Sequence, residues 1–166
     1  FNIRYPPQFI HVASASEAME LLSRRQIDLI INMLSISDLD PFELSLNIKR
    51  LYPEKPIVIL APDSKESSLR LKNEDLSCID YVFNWLGSTN ILFPIINLIE
   101  DKLNAEEDNK HEGVQSILLI ENSVKSATIY IRHLYKIILE QSRDYMIEGL
   151  NEHQKMMQMR GRPKIL

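Results

Sequence analysis

Four consecutive aliphatic residues, Ile57-Val58-Ile59-Leu60, stand between Pro56 and Ala61-Pro62. A short apolar run of this kind, bounded by turn signals and without polar alternation, reads as a strand buried on both faces. Burying both faces requires helices on each side of a parallel sheet. The neighbouring stretches supply the rest of that pattern. Asp28 precedes Leu29-Ile30-Ile31, and Ile79 to Phe83 is a further strand. Between these runs lie helical patterns at Phe42 to Leu51, with Phe42, Leu46 and Ile48 toward the core, and at Ser64 to Lys72. Strands alternating with helices predict an α/β, doubly wound parallel sheet.

Toward the N-terminus, Tyr5-Pro6-Pro7 is a stiff entry that cannot join a central strand. Phe9 to Ala13 is expected as a short strand. The helix after it is capped by Ser14 or Ser16, with Ala18, Met19, Leu21 and Leu22 as its apolar side. Beyond the last strand, Asn90 to Leu103 is expected as an amphipathic helix, with Ile91, Leu92, Ile95, Ile96, Leu98 and Ile99 inward. Residues 104–113, NAEEDNKHEG, read as a charged linker. Ile117-Leu118-Leu119-Ile120 is a further strand. Residues 123–147 form a long helix whose apolar stripe runs through Ala127, Ile131, Leu134, Ile138 and Tyr145. Gly149 and Asn151 break it, and Met156, Met157 and Met159 give a second short helix a soft face. Arg162 to Leu166 parallels Pro6 to Ile10, which suggests a weak internal repeat.

Composition narrows the function. The net charge of −4 argues against broad binding to nucleic acid or anionic membranes. One cysteine, Cys78, cannot form an internal disulfide and fits a reducing, cytoplasmic setting. No stretch has the roughly 20 apolar residues of a membrane span, and no signal peptide is visible. With no initiator Met, and an end inside an apolar run, the chain is expected to be an excised fragment. No G-x-G-x-x-G or P-loop is present. His11, His111, His133 and His153 share no metal-ligand spacing. No cofactor or metal is expected.

The stretch IDLIINMLSISDLDPFEL, residues 27–44, resembles the third strand and following loop of response-regulator receiver domains. Asp28 opens the strand, Asp40 sits in the loop, and Phe42-Glu43-Leu44 opens the next helix. The resemblance implies a flavodoxin-like, five-stranded sheet with its first strand central. It also implies a pocket holding a phosphoacceptor carboxylate, a metal-binding acidic pair, a Ser or Thr, and a Lys followed by Pro. Here those places fall on Met33, on Glu121 and Asn122 (from a second unit's first strand), on Ala61, and on Asn84-Trp85. A thioether cannot attack a phosphoryl donor as a carboxylate does, and Asn84 carries no charge to neutralise one. The expectation is a degenerate receiver, or pseudo-receiver, with no catalytic residue.

Asp38 and Asp40 flank Leu39 and are read as turn residues, with phosphoacceptance on one of them as the competing possibility. Arg160-Gly161-Arg162-Pro163 resembles the core of an AT-hook; the competing reading is an exposed turn before a strand. Residues 148–166, together with Arg4 to Pro7, resemble the receiver-like region that precedes phosphoenolpyruvate synthase/pyruvate phosphate dikinase-type enzymes in some bacterial proteins.

These readings give residues 1–103 as a receiver-like domain lacking its first strand and helix, and 104–113 as a linker. Residues 114–166 are the first strand and long helix of a second unit. An extended linker of about 10 residues reaches roughly 30 Å, so the later strand could complete the first sheet, in the same chain or in a partner. The expected role is a phosphorylation-independent regulatory module that binds a protein partner or itself through helix 123–147.

Overall fold

The computed structural model describes residues 7–35, 38–144 and 161–166. They form two compact units, Gln8–Ser88 and a second built on Thr89–Leu166.

The first unit alternates α1 (Ala15–Arg24), β1 (Ile30–Met33), α2 (Pro41–Leu51), β2 (Ile57–Pro62), α3 (Lys65–Asn73) and β3 (Tyr81–Trp85). Each helix begins at an oxygen-bearing side chain that accepts from the first turn's free N–H groups. Ser14 accepts from Glu17 N, Asp40 from Phe42 N and Glu43 N, and Ser64 from Ser67 N. Pro41 sits in the first turn of α2, where its missing N–H costs nothing.

The strands form a parallel sheet in the order β1-β2-β3. Ile30 is opposite Ile57 and Met33 opposite Leu60, while Val58 is opposite Tyr81 and Pro62 opposite Trp85. β2 is central, and Ile57 through Ala61 are all at most 2% exposed, as the unbroken aliphatic run requires. One face of the sheet carries two adjoining clusters. Ile57 packs with Ala15, Leu22, Leu44 and Ile48, and Ile59 and Ala61 pack with Leu34 and Phe42. Buried Asn32 lies on this face and donates to the Pro41 carbonyl at 3.0 Å, tying β1 to the start of α2.

Three expectations for this unit are corrected. The main sheet has three strands rather than five. Phe9–Ala13 is not a strand; Phe9 is 63% and Ile10 45% exposed, so the apolar alternation there finds no ladder to join. Leu46 is on the outer side of α2, and Leu44 and Ser45 take the inward places beside Ile48.

The second unit opens with a 3-10 turn, Thr89–Ile91, leading into α4 (Leu92–Glu112). Then come β4 (Ser116–Ile117), α5 (Val124–Asp144) and β5 (Lys164–Ile165), with β4 and β5 paired in parallel. The residues read as a linker, 104–113, instead carry α4 on to Glu112. The helix stops at Gly113, whose φ of 63° is left-handed and whose N–H bonds the Asp108 carbonyl. Ala105 and Asp108 are buried, which explains why so polar a segment stays helical. The buried side of α5 carries Thr128, Ile131, Tyr135 and Ile138. Among the described residues β4 pairs with β5. The second short helix, with its methionines and His153, lies outside the described residues.

Candidate functional site

In a parallel α/β sheet, working residues gather at the carboxyl ends of the strands. Three of the candidates are there. Met33 is the last residue of β1, Ala61 is next to last in β2, and Asn84 is next to last in β3. Ala61 and Asn84 are direct cross-strand partners. Met33 faces Leu60, so strand alternation sends its side chain to the opposite sheet face from Ala61. Met33 is 41% exposed, whereas Ala61 is fully buried and Asn84 nearly so. Glu121 and Asn122 belong to the other unit, and both are exposed. Glu121 accepts from Ser123 N at 2.9 Å just before α5.

One carboxylate at this end escaped the sequence reading. Asp63 follows β2, and Asn84 Nδ2 donates to its Oδ1 at 3.1 Å. The signal was available in Ala61-Pro62-Asp63, an acidic residue two positions beyond the expected hydroxyl. Among the described residues, no three His, Cys, Asp or Glu side chains gather as a metal site.

The loop aspartates are held by helix starts. Asp38 accepts from Ala15 N at 2.8 Å, and from Ser16 N and Oγ at 3.2 and 3.1 Å. The Ala15 and Ser16 amides hold its carboxyl below the usual range. Asp40 caps α2 and pairs with Arg70, whose guanidinium also reaches the Leu34 carbonyl and lies over the Phe42 ring. Asp80, just before β3, takes the Ile57 N–H and the Lys49 ammonium, each at 2.9 Å.

The second unit contains a different cluster. Asp101 of α4 is fully buried. Its Oδ2 accepts from Tyr135 Oη at 2.7 Å, Arg162 at 2.9 Å and Ile165 N at 2.9 Å. Arg162 also approaches Oδ1 at 2.8 Å, donates to Asn97 at 3.1 Å and lies 5.4 Å from the Tyr135 ring centroid. One helical turn pair onward, Asp108 holds Lys164 at 2.9 Å. Burial works against charge on Arg162, but Asp101 more than offsets it, so the guanidinium is held above its usual range. Burial pushes the Glu100 carboxyl up, against the pull of Arg162 and Lys164.

This corrects the AT-hook reading at Arg162. That side chain is 4% exposed and fixed by Asp101 and Asn97, so it cannot enter a DNA groove. Arg160 lies outside the described residues.

No family model matches the chain, and no curated protein matches it by sequence. Its structure is similar to solved signal-receiver domains. The REC domain of AraT, a response regulator from Geobacillus stearothermophilus, is 18% identical over 57% of this chain and 71% of its own, with a TM-score of 0.47. The receiver domain of an HD domain-containing protein from Pseudomonas fluorescens Pf-5 is 20% identical over 55% and 73%, with a TM-score of 0.45. NtrX from Brucella abortus is 17% identical, and the match spans 78% of this chain but 27% of that longer one, with a TM-score of 0.47. No described helix is long and apolar enough to cross a membrane.

Proposed function

We propose that the chain is a receiver-like regulatory module that passes on a binding state without accepting phosphate. The observation that carries this reading is the end of β1, where a thioether, Met33, takes the strand position of the expected nucleophile. A methionine offers no oxygen to a phosphoryl donor. The surrounding chemistry agrees. Neither the Ala61 methyl nor the uncharged Asn84 amide could neutralise a transferred phosphoryl group. The nearby loop carboxylates Asp38 and Asp40 serve as helix caps. Partner binding is assigned to α5, whose outer side exposes Tyr130 and Ile137. The likeness of residues 148–166 to the region preceding phosphoenolpyruvate synthase-type enzymes supports placing such a module beside an enzyme of that kind.

The test is incubation with acetyl phosphate and Mg²⁺ followed by intact mass. The expected spectrum shows the unmodified mass alone. A phosphoryl adduct would overturn the proposal. Peptide mapping of that adduct to Asp63 would establish a second reading, which the position of Asp63 beside Asn84 favours: a phosphoacceptor displaced to the loop after β2.

A further inference from the structure

Two helices of the first unit are held by unlike means. α2 buries Pro41, Phe42, Leu44, Ser45 and Ile48. α3 buries Ser67 alone. Of the two aliphatic side chains in α3, Leu71 packs on the cluster of Leu34, Phe42, Ile59 and Ala61, and Leu69 is 62% exposed. One part-covered leucine is little apolar surface to set against the conformational entropy of a whole helix. The serines at its start bond locally: Ser64 Oγ with Ser67, and Ser68 Oγ to the Ser64 carbonyl.

A guanidinium makes up the difference. Arg70 of α3 donates through Nη1 to the Leu34 carbonyl, just beyond β1, at 3.2 Å. Through Nη2 it donates to Asp40, the cap of α2. Its Cζ lies over the Phe42 ring, 5.4 Å from the centroid, and its Nε is 3.9 Å from Glu74 at the end of α3. One planar fork thus serves a carbonyl and a carboxylate at once, which a single ammonium does poorly. The Arg70 and Asp40 side chains are 36% and 40% exposed. A pair so placed is open to screening by salt.

We infer that α3 is a hinged cover fastened by Arg70: it releases from the first unit as a local step while α1, α2 and the sheet stay folded. An element with few buried apolar contacts opens at a lower free energy than the whole fold. Closed, Leu71 covers the Leu34–Phe42 side of the core, beside the carboxyl ends of β1 and β2. Open, that apolar surface meets solvent, and the Leu34 carbonyl and the Asp40 carboxylate return to water. The step breaks no covalent bond. It gives the first unit two states that differ at the sheet end. The device does not depend on whether any carboxylate here takes phosphate, so it and the phosphate-silent reading fail separately.

The test is native-state hydrogen exchange on the whole chain, read by peptide mass spectrometry. Amides of Lys65–Asn73 should exchange faster than those of α2 and β2. Arg70→Gln removes a charge-assisted but partly exposed contact, so it should speed exchange in α3 about tenfold. Exchange in α1, α2 and the sheet should stay as in the wild type. Asp40→Asn keeps an acceptor at the cap of α2 while removing the charge, so it should speed α3 and spare α2. Arg70→Lys should fall between the wild type and Arg70→Gln. Added salt should speed α3 exchange in the wild type and do nothing further to Arg70→Gln. Exchange of α3 only together with β2, an equal rise throughout the unit in Arg70→Gln, or an α3 indifferent to Arg70, Asp40 or salt would each overturn the inference.

Discussion

The carboxyl end of the three-stranded sheet and the contact of α4 with β5 treat charge in opposite ways. At the sheet end, the strand residues are Met33, Ala61 and Asn84, all uncharged. Between α4 and β5, Asp101, Asp108, Arg162 and Lys164 are each at most 4% exposed. A buried ion is tolerated only when its partners and hydrogen bonds are supplied. Asp101 has Tyr135, Arg162 and the Ile165 amide around one oxygen. The contrast separates two settings: the strand ends hold uncharged side chains, whereas buried charge fixes a helix against a strand in the second unit.

The comparison breaks first at Asp101. Asp101→Ala strands a buried guanidinium, a phenol and a backbone N–H, and should cost about 3–5 kcal/mol by urea unfolding. Replacing the pair together, as Asp101→Leu with Arg162→Met, should recover most of that loss. If the single and paired variants lose the same stability, the charges are not coupled. A smaller effect is expected at Asp40, which is partly exposed. Asp40→Ala removes the α2 cap and should cost about 1 kcal/mol, read from the same unfolding curves.

Glu100 sharpens the comparison through pH. Its folded carboxyl is raised by burial, so folding binds the proton more tightly than the unfolded chain does. Its contribution is therefore fully present below the ordinary glutamate value and is lost as pH rises through the folded value. Glu100→Gln should stabilise the protein at neutral pH, and the gain over wild type should vanish in acid. A thermal-melting series across pH checks this; a gain independent of pH would assign the effect to packing.

The smallest change is expected at Met33. Met33→Asp places a carboxylate at an exposed strand end and should alter stability by about 0.5 kcal/mol or less. It should also fail to take phosphate from acetyl phosphate, because Ala61 and Asn84 supply neither a hydroxyl nor a cation. Labelling of this variant would show that the rest of the pocket is competent and that Met33 alone silences it.

The alternation of strands and helices was legible because burial on both faces leaves a mark on every residue of β2. The start of α2 was legible too, since Asp40-Pro41 combines a cap with a tolerated proline. The Asp101 cluster was not. Its acids lie on α4, and its cations lie about 60 positions away along the chain, in a segment whose arginines resemble a DNA-binding core. Asp101, Ala105 and Asp108 do recur at helical spacing, and Arg162 and Lys164 at strand spacing. Without contacts nothing joins the two sets, and the acidic composition of 104–112 instead suggested a solvated linker. Of the strand expected at Ile117–Ile120 only Ile117 lies in β4, which spans Ser116–Ile117. The pairing of β4 with β5 was hidden, because ladder choice depends on which edges meet in space.

Lys164 sits 2.9 Å from Asp108 at the heart of that cluster. Amine-selective reagents attack the neutral, solvent-accessible amine, so acylation of this lysine requires the Asp108 contact to open first. Its acylation rate, followed by peptide mass spectrometry, would act as an intrinsic clock for how often the last strand lets go of the helix. Solvated amines such as Lys136, which is largely exposed on α5, would calibrate the reagent within the same sample.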